Sequence, residues 1–296
     1  MRYYTTLFTA FLFTVCFVSL HGQSDTSKLD FSGDFRFRVE QDWSSMKSDG
    51  SFRDDRTRFR YRVRLGLSYE LNNWAKVGVR LRTGDPKKQQ DPQVTLGTGV
   101  AEFGLLPLGF EKAFFQAKKK GYTLCLGKND FPFKKNNELF WSDNVFPEGV
   151  FFSKGFAMEG KKVNDIEVGA GHFILSSAGA SLEDDAYMQG AQVKASLFDD
   201  KLVLFPSLYY FNDLADRPDG GGTYILDYAI VNFGAAITLD NQRKLVVDMD
   251  YYHNLIDYAS NDSVPDLLED QTKGYSLGLG IGSLKKKGDW TLKATY

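Results

Sequence analysis

The chain has 296 residues, with 36 Lys and Arg against 38 Asp and Glu, so its formal net charge is -2. This near-neutral balance argues against a nucleic-acid-binding protein, which usually carries a strong basic excess. Aromatic residues make up 15% of the chain and there are 28 Gly. A composition rich in aromatic residues and Gly, with a moderate hydrophobic fraction, favours a β-barrel that has one polar face.

Residues 1–22 have the features of a secretory signal peptide. A basic residue in the second position precedes an apolar stretch, 7–20, which is too short to span a bilayer, and the small Gly22 provides a cleavage site. We therefore expect an exported mature chain of residues 23–296. In that chain Cys125 is the only cysteine, so we expect no intramolecular disulfide and no cysteine metal site.

Period-2 alternation then predicts β-strands, and it is clearest over residues 56–71. Apolar residues such as Phe59 and Leu65 fill the odd positions, and arginines fill most of the even ones. A helix would spread both sets around its circumference. The same alternation predicts thirteen strands, at 29–40, 56–71, 75–83, 112–118, 122–128, 155–161, 165–175, 190–197, 202–211, 228–239, 244–254, 274–282 and 289–296.

The connections between these strands alternate in length. The short ones are 72–73, 119–121, 162–164, 199–200, 240–243 and 285–288. The long ones are 41–55, 84–111, 129–154, 176–189, 212–227 and 255–273. Tight turns at one end and long loops at the other are typical of outer-membrane barrels. The fold class predicted is therefore all-β, a transmembrane antiparallel up-and-down β-barrel.

The predicted strand number is odd, whereas closed bacterial barrels have an even number. Either one strand has been miscounted or the sequence is truncated at its C-terminal end. We expect truncation of a barrel of about 16 strands, the size class that encloses an aqueous channel.

Arginines line the polar face of the first three predicted strands. In a barrel this face is the lumen, and walls of arginine attract anions because a narrow pore focuses their field. The alternative is that the arginines pair with Asp30, Asp34, Glu40, Glu70 and loop acids and only satisfy a polar interior. The residues predicted to line the pore are Arg36, Arg38, Arg58, Arg60, Arg62, Arg64, Arg80 and Arg82, with Asp248 and Asp250 opposite them.

The long loop 129–154 is the second candidate site, because it contains aromatic residues that must pack against something. If it packs against the inner wall, Glu138, Asp143 and Glu148 face the arginines and form a constriction. Alternatively, the loop folds over the outer rim. The residues alone leave both arrangements open.

Several motifs resemble the "putative porin" family of Gram-negative outer membranes, which is similar in plan to phosphate-selective and general diffusion porins. The motifs are Gly33-Asp34-Phe35-Arg36-Phe37-Arg38, the arginine repeat from Asp55 to Arg62, residues 77–86, and Phe146-Pro147-Glu148-Gly149. The resemblance covers the whole mature chain. It implies a large aqueous barrel, a homotrimer and no cofactor. The departure is at the C-terminus, where the last strands that the family pattern leads us to expect are missing.

The function predicted is an outer-membrane porin for passive diffusion of small polar or anionic solutes. It would contact outer-membrane lipid, and we expect no enzyme activity, no metal and no nucleic-acid partner. Two other classes stay open. An outer-membrane barrel hydrolase would need a general base at His172 or His253, around which the sequence places no nucleophile. The other is a soluble adhesin or carbohydrate-binding β-protein.

Overall fold

The computed structural model describes residues 28–46, 51–97, 105–158, 160, 162–177, 181, 184–216, 224–259, 264 and 272–296. The predicted signal peptide, residues 1–22, lies outside these residues. Within the described part of the chain, no helix is long and apolar enough to cross a membrane.

The described residues form fourteen β-strands, which bears out the all-β class. They are β1 Leu29–Asp42, β2 Arg56–Asn72, β3 Ala75–Thr83, β4 Val94–Thr95, β5 Leu108–Lys119, β6 Tyr122–Lys128, β7 Glu148–Ala157, β8 Val163–Ser176, β9 Ala186–Leu197, β10 Leu202–Asp216, β11 Tyr224–Asp240, β12 Leu245–Asn254, β13 Lys273–Gly282 and β14 Thr291–Thr295. The two-residue β4, which pairs with β2, was not predicted. The other thirteen correspond to the predicted strands, and the expectation of about 16 strands stays a prediction.

The strands divide between two compact units. The first contains the described residues of Met1–Ser68 and Arg80–Phe110, and the second those of Tyr69–Val79 and Glu111–Tyr296. In the second unit each strand from β5 to β14 pairs antiparallel with the next. The short connections are tight: Lys120 and Gly121, between β5 and β6, both have positive φ, at 50° and 79°. Such turns match the right-handed twist of a hairpin.

In the first unit, exposure is inverted relative to a soluble protein. Along β2 the arginines Arg60 and Arg62 are buried, the latter with 4% of its surface exposed, while Phe59 and Leu65 are exposed, the latter at 61%. An apolar outer surface is stable only against another apolar phase, and a lipid bilayer provides one.

The second unit shows the same inversion. Its buried positions include Ser153, Gln192, Ser207, Asn232, Asp248, Asp250 and Ser276. Its exposed positions include Val150, Phe152, Val168, Val193, Leu208, Phe233, Met249, Tyr251 and Leu277. In the β12–β13 pair the exposed Met249 lies opposite Leu277, and the buried Asp250 lies opposite Ser276. One face of this sheet is therefore covered and carries polar side chains beside an aromatic cluster, and the other is apolar and uncovered.

Several predicted boundaries differ from the structure, and the largest difference is at β7, which was predicted at 155–161 and runs from Glu148 to Ala157. The loop predicted at 129–154 ends at residue 147, because β7 begins at Glu148 and pairs in register with β6 through Lys128. The alternation in this stretch is blurred by Phe151, an apolar residue on the buried face. Phe151 is buried because it packs on Phe133, at 5.5 Å between ring centroids. The sequence pattern could not show that partner.

Candidate functional site

Carboxylates hold the central arginines of β2. The guanidinium of Arg62 donates to Asp34 Oδ1 of β1 at 3.1 and 2.5 Å. Arg60 donates to Glu40 at 3.1 Å, to both carboxylate oxygens of Asp91, and to the Gln93 carbonyl at 3.0 Å. Burying an ionised group is costly unless it is paired and hydrogen-bonded, and these contacts meet that requirement.

The remaining ion pairs of this unit share acceptors. Glu40 also accepts from Arg38 at 2.8 Å and lies 3.1 Å from Arg58. Asp42 accepts from Arg58 at 2.9 Å and from Arg56 at 2.8 Å. The paired arginines and acids, Arg38, Arg56, Arg58, Arg60, Arg62, Asp34, Glu40, Asp42 and Asp91, are called the arginine ladder below.

The other four predicted arginines occupy the same parity on their strands. Arg82 is buried and donates to the Lys88 carbonyl at 2.6 Å. Arg36, Arg64 and Arg80 also have interaction partners. Within the first unit, pairing therefore accounts for much of the arginine charge, as the alternative interpretation of this motif anticipated.

The second unit contains a segment that covers its polar face. This covering segment, residues 129–147, connects β6 to β7 and carries an aromatic cluster. Phe131 stacks on Trp141 at 4.6 Å, and Phe140 stacks on Tyr252 of β12 at 5.1 Å. Phe133 lies edge-on to Tyr209 of β10 at 5.5 Å. The loop therefore packs against the buried face of the strands.

Close approach of the covering segment requires a small residue in β9. A Cβ placed on Gly190 would lie 2.6 Å from the ring of Phe133, inside contact distance. Phe133 itself is 4% exposed and also meets Phe173. The ring of Phe133 thus occupies the space that a side chain at position 190 would fill, and this close packing fixes the position of the segment at this point.

Polar contacts hold the next stretch of the covering segment. The buried side-chain amide of Gln192 accepts from the Lys134 N–H at 2.8 Å and donates to the Lys134 carbonyl at 2.9 Å. Asn136 Nδ2 donates to the carbonyls of Ala235 and Met249 at 3.0 and 3.1 Å.

Asn137 and Lys293 bind the two acids of β12. Asn137 Nδ2 donates to Asp250 Oδ2 at 2.9 Å and to Ser276 Oγ at 2.8 Å. Lys293 Nζ lies 2.9 Å from Asp248 Oδ2 and donates to the Asn136 carbonyl at 2.8 Å. Asp248 and Asp250 are thus on the polar face, as their parity predicted, and both contact groups of the second unit.

The chain matches, over residues 44–225, the family described as "Putative porin". This match covers more than half of the chain. The chain belongs to this porin family. The resemblance noted from the sequence motifs is confirmed, and with it the predicted fold class and a location in the Gram-negative outer membrane. The protein is an outer-membrane channel.

Solved structures of two outer-membrane channels resemble this porin more distantly. OmpF of Salmonella typhi, in complex with daunomycin, is 10% identical with a TM-score of 0.47, over 94% of this chain and 92% of that chain. The outer membrane channel DcaP of Acinetobacter baumannii is 13% identical with a TM-score of 0.41, over 93% of each chain. Both TM-scores are below 0.5, so the assignment depends on the family match. Comparison with curated proteins gave no match.

The three acids predicted for a constriction of this porin have local partners. Glu138 accepts from the Asp143 N–H at 2.9 Å, and Asp143 forms an ion pair with Lys135. Glu148 lies in β7, not in the loop, and its carboxylate pairs with Lys128 of β6. Their predicted position opposite the arginines stays a prediction.

Sequence reasoning missed the residues that fasten the covering segment, namely Lys134, Asn136, Asn137, Gln192 and Lys293. The adjacent Asn136 and Asn137 were the only available signal, since paired amides in an aromatic loop need hydrogen-bond partners when they are covered. Nothing in the sequence pointed to the strands that supply those partners.

The two histidines considered for a hydrolase occupy ordinary strand positions. His172 Nδ1 lies 3.3 Å from Gln189 Nε2, and its ring lies 5.0 Å from that of Tyr187. His253 pairs in register with Val231 and Lys273. The family favours a channel, and the lack of enzyme activity stays a prediction.

Proposed function

We propose that this porin conducts small polar solutes, anions among them, by passive diffusion along the polar face of its sheet. The observation that carries the proposal is the inverted exposure: polar side chains such as Gln192 and Asp250 are buried, and apolar ones such as Phe152 and Leu277 are exposed. An apolar exterior suits contact with outer-membrane lipid, and a polar interior suits a water-filled path.

The covering segment gives this path a size limit. Its aromatic cluster is anchored on β8–β10 and β12, and its polar stretch is hydrogen-bonded to β9 and β11–β14. A segment fixed on both sides would narrow the space above the polar face, and a cavity of about 550 Å³ lies beside residues 133–138. We expect small polar solutes to pass more readily than large ones.

The residues proposed to line the path are the predicted arginines, together with Asp248, Asp250, Glu138 and Asp143. In the arginine ladder, Asp34, Glu40, Asp42 and Asp91 pair with the arginines. We therefore expect the field of these arginines to be weakened and the preference of the channel for anions to be mild. A homotrimer, in which each copy carries its own path, is part of the same proposal, and chemical crosslinking in detergent would measure it.

The test is reconstitution of the purified protein into planar bilayers and liposomes. We expect discrete conductance steps in potassium chloride, and liposome swelling in monosaccharides that falls off with increasing sugar size. A folded protein that gives neither conductance nor swelling would contradict the proposal.

A further inference from the structure

Lys134 lies at the edge of the cavity formed by the covering segment and β14. The cavity is lined by Phe133, Lys134, Lys135, Asn136, Asn137, Glu138, Asp143, Lys293 and Thr295. Unlike the aromatic residues beside it, Lys134 is exposed. Its side chain is therefore accessible to a solute that enters the cavity.

Lys134 differs from the other two lysines of this cavity. Lys135 Nζ pairs with Asp143, and Lys293 Nζ pairs with Asp248. Among the described residues, Lys134 Nζ has no hydrogen-bond acceptor and no ion-pair partner. It lies over the face of the Phe205 ring, 5.9 Å from the ring centroid. An aromatic face attracts a cation weakly and neutralises none of its charge.

The nearby acids oppose the desolvation of this ammonium but do not outweigh it. Neighbouring atoms remove part of the ammonium's hydration, and this lowers the pKa of Lys134; Asp248 and Asp250 act in the opposite direction, and Lys293 and Lys194 reinforce the lowering. Desolvation is the largest of these effects. An anion that enters the cavity would give the ammonium an ion-pair partner, which the described residues do not supply.

The backbone of Lys134 is fixed by hydrogen bonds, whereas its ammonium contacts only the Phe205 ring among the described residues. The Gln192 amide holds both the N–H and the carbonyl of Lys134, and Gln192 in turn donates to Ser207 Oγ at 2.9 Å. Since a fixed backbone limits where the ammonium can reach, the charge stays at this cavity.

We propose that Lys134 is the main charge-selecting residue of the channel and the contact point for the anionic group, a halide or a small carboxylate, of solutes that pass the covering segment. This inference rests on the proposed function. The reason to prefer Lys134 over the arginine ladder is that the ladder's guanidiniums are already paired with carboxylates.

The experiment measures the reversal potential in planar bilayers across a potassium chloride gradient, and then with acetate in place of chloride. We expect Lys134→Gln to lower the anion-to-cation permeability ratio about threefold at 0.1 M salt. The change should shrink at 1 M, where the screening length falls from about 10 Å to about 3 Å. Lys134→Arg should keep the wild-type ratio, because it preserves the charge.

The matched control is Lys201→Gln, which makes the same change in the short connection between β9 and β10 and does not line the cavity. Its ratio should equal that of the wild type. Equal shifts in Lys134→Gln and Lys201→Gln would show a general charge effect and overturn the inference. A conducting Lys134→Gln channel with an unchanged permeability ratio would also overturn the inference. A folded wild-type protein that does not conduct would refute the proposed function and the inference together.

A second variant tests the same position within one channel. In a Cys125→Ser background, Lys134→Cys can be modified during recording with a positively or a negatively charged thiol reagent. We expect the positive reagent to raise the permeability ratio toward the wild-type value and the negative reagent to lower it further. No response from a channel whose cysteine has been modified would contradict the proposal.

Discussion

The arginine ladder and the covered face of β8–β14 both contain buried polar side chains, but the partners of these side chains come from different distances along the chain. Both bury polar side chains on one side of a sheet and expose apolar side chains on the other. In the ladder, the partners are 2 to 31 residues apart in sequence and lie in β1, in β2 and in the connection after β3. On the covered face, the strand residues that contact residues 136 and 137 are 99 to 157 residues away.

The two regions therefore differ in how far their positive charges are paired with carboxylates. In the ladder, Arg62 pairs with Asp34 of the neighbouring strand β1, and Arg60 pairs with Glu40 of β1 and with Asp91 in the connection after β3. On the covered face the polar row is satisfied by the covering segment, and Lys134 keeps an ammonium without an acidic partner among the described residues. Under our proposal, the first region supplies a polar wall and Lys134 in the second supplies the charge selectivity.

The largest effect should come from Phe133→Ala, which removes the ring that fills the space above Gly190. Loss of a buried aromatic side chain costs about 3–5 kcal/mol, and here that cost would loosen the covering segment. We expect protease cleavage within residues 129–147 and noisier, larger conductance steps. Phe152→Ala is the control, since Phe152 lies on the exposed face. Comparable effects of the two substitutions would mean that the segment is not held by its aromatic cluster.

Next in size is the cost of a charge on the apolar face of the first unit. Leu65→Arg should impair assembly by about 2–4 kcal/mol, because it places a charge against lipid. Arg62→Ser should fold nearly as well as the wild type, because the partner carboxylate of Asp34 is partly exposed to water. The measurement is the fraction of protein that migrates as the folded, SDS-resistant form before heating. If both variants fold equally poorly, the two faces have been assigned incorrectly.

A smaller effect is expected for Asn137→Ala, which leaves Asp250 and Ser276 without the amide that they share. An unsatisfied buried polar group costs about 1–3 kcal/mol. Asp250→Asn in the same background should recover part of this loss, because a neutral amide is easier to bury than a carboxylate. The temperature at which the folded band disappears on electrophoresis would show the order of the three proteins. No recovery in the double variant would argue against a direct coupling of Asn137 to Asp250.

The smallest effect should come from removing a whole ion pair of the ladder. Arg62→Gln combined with Asp34→Asn leaves the net charge unchanged, and we expect a reversal potential close to that of the wild type. Arg62→Gln alone should shift it toward cations, because the Asp34 carboxylate then lacks its partner. A large shift in the double variant would mean that Arg62 contributes charge to the path despite its pairing.

Much of the strand layout could be predicted because alternation is a local property. The period-2 pattern located β2 and β3 closely, and the alternation of short and long connections indicated the barrel plan. The prediction was wrong at β7, where Phe151 faces the covered side. An apolar residue on that face breaks the pattern when its partner comes from another part of the chain, and Phe133 is such a partner.

Sequence by itself determined which face is polar in the strands with clear alternation, such as β2 and β3, because side chains alternate along a strand whatever lies opposite them. It also placed arginines on that face, and acids near enough to pair with them. Only the tertiary structure decided that residues 129–147 cover the polar face, and that Gln192, Asp250 and Ser276 hold them there. The physical reason is that these contacts join strands far apart in the chain, so they depend on how strands and loop come together in space. Which cations stay unpaired depends on the same contacts, and for that reason Lys134 could not be singled out from the sequence.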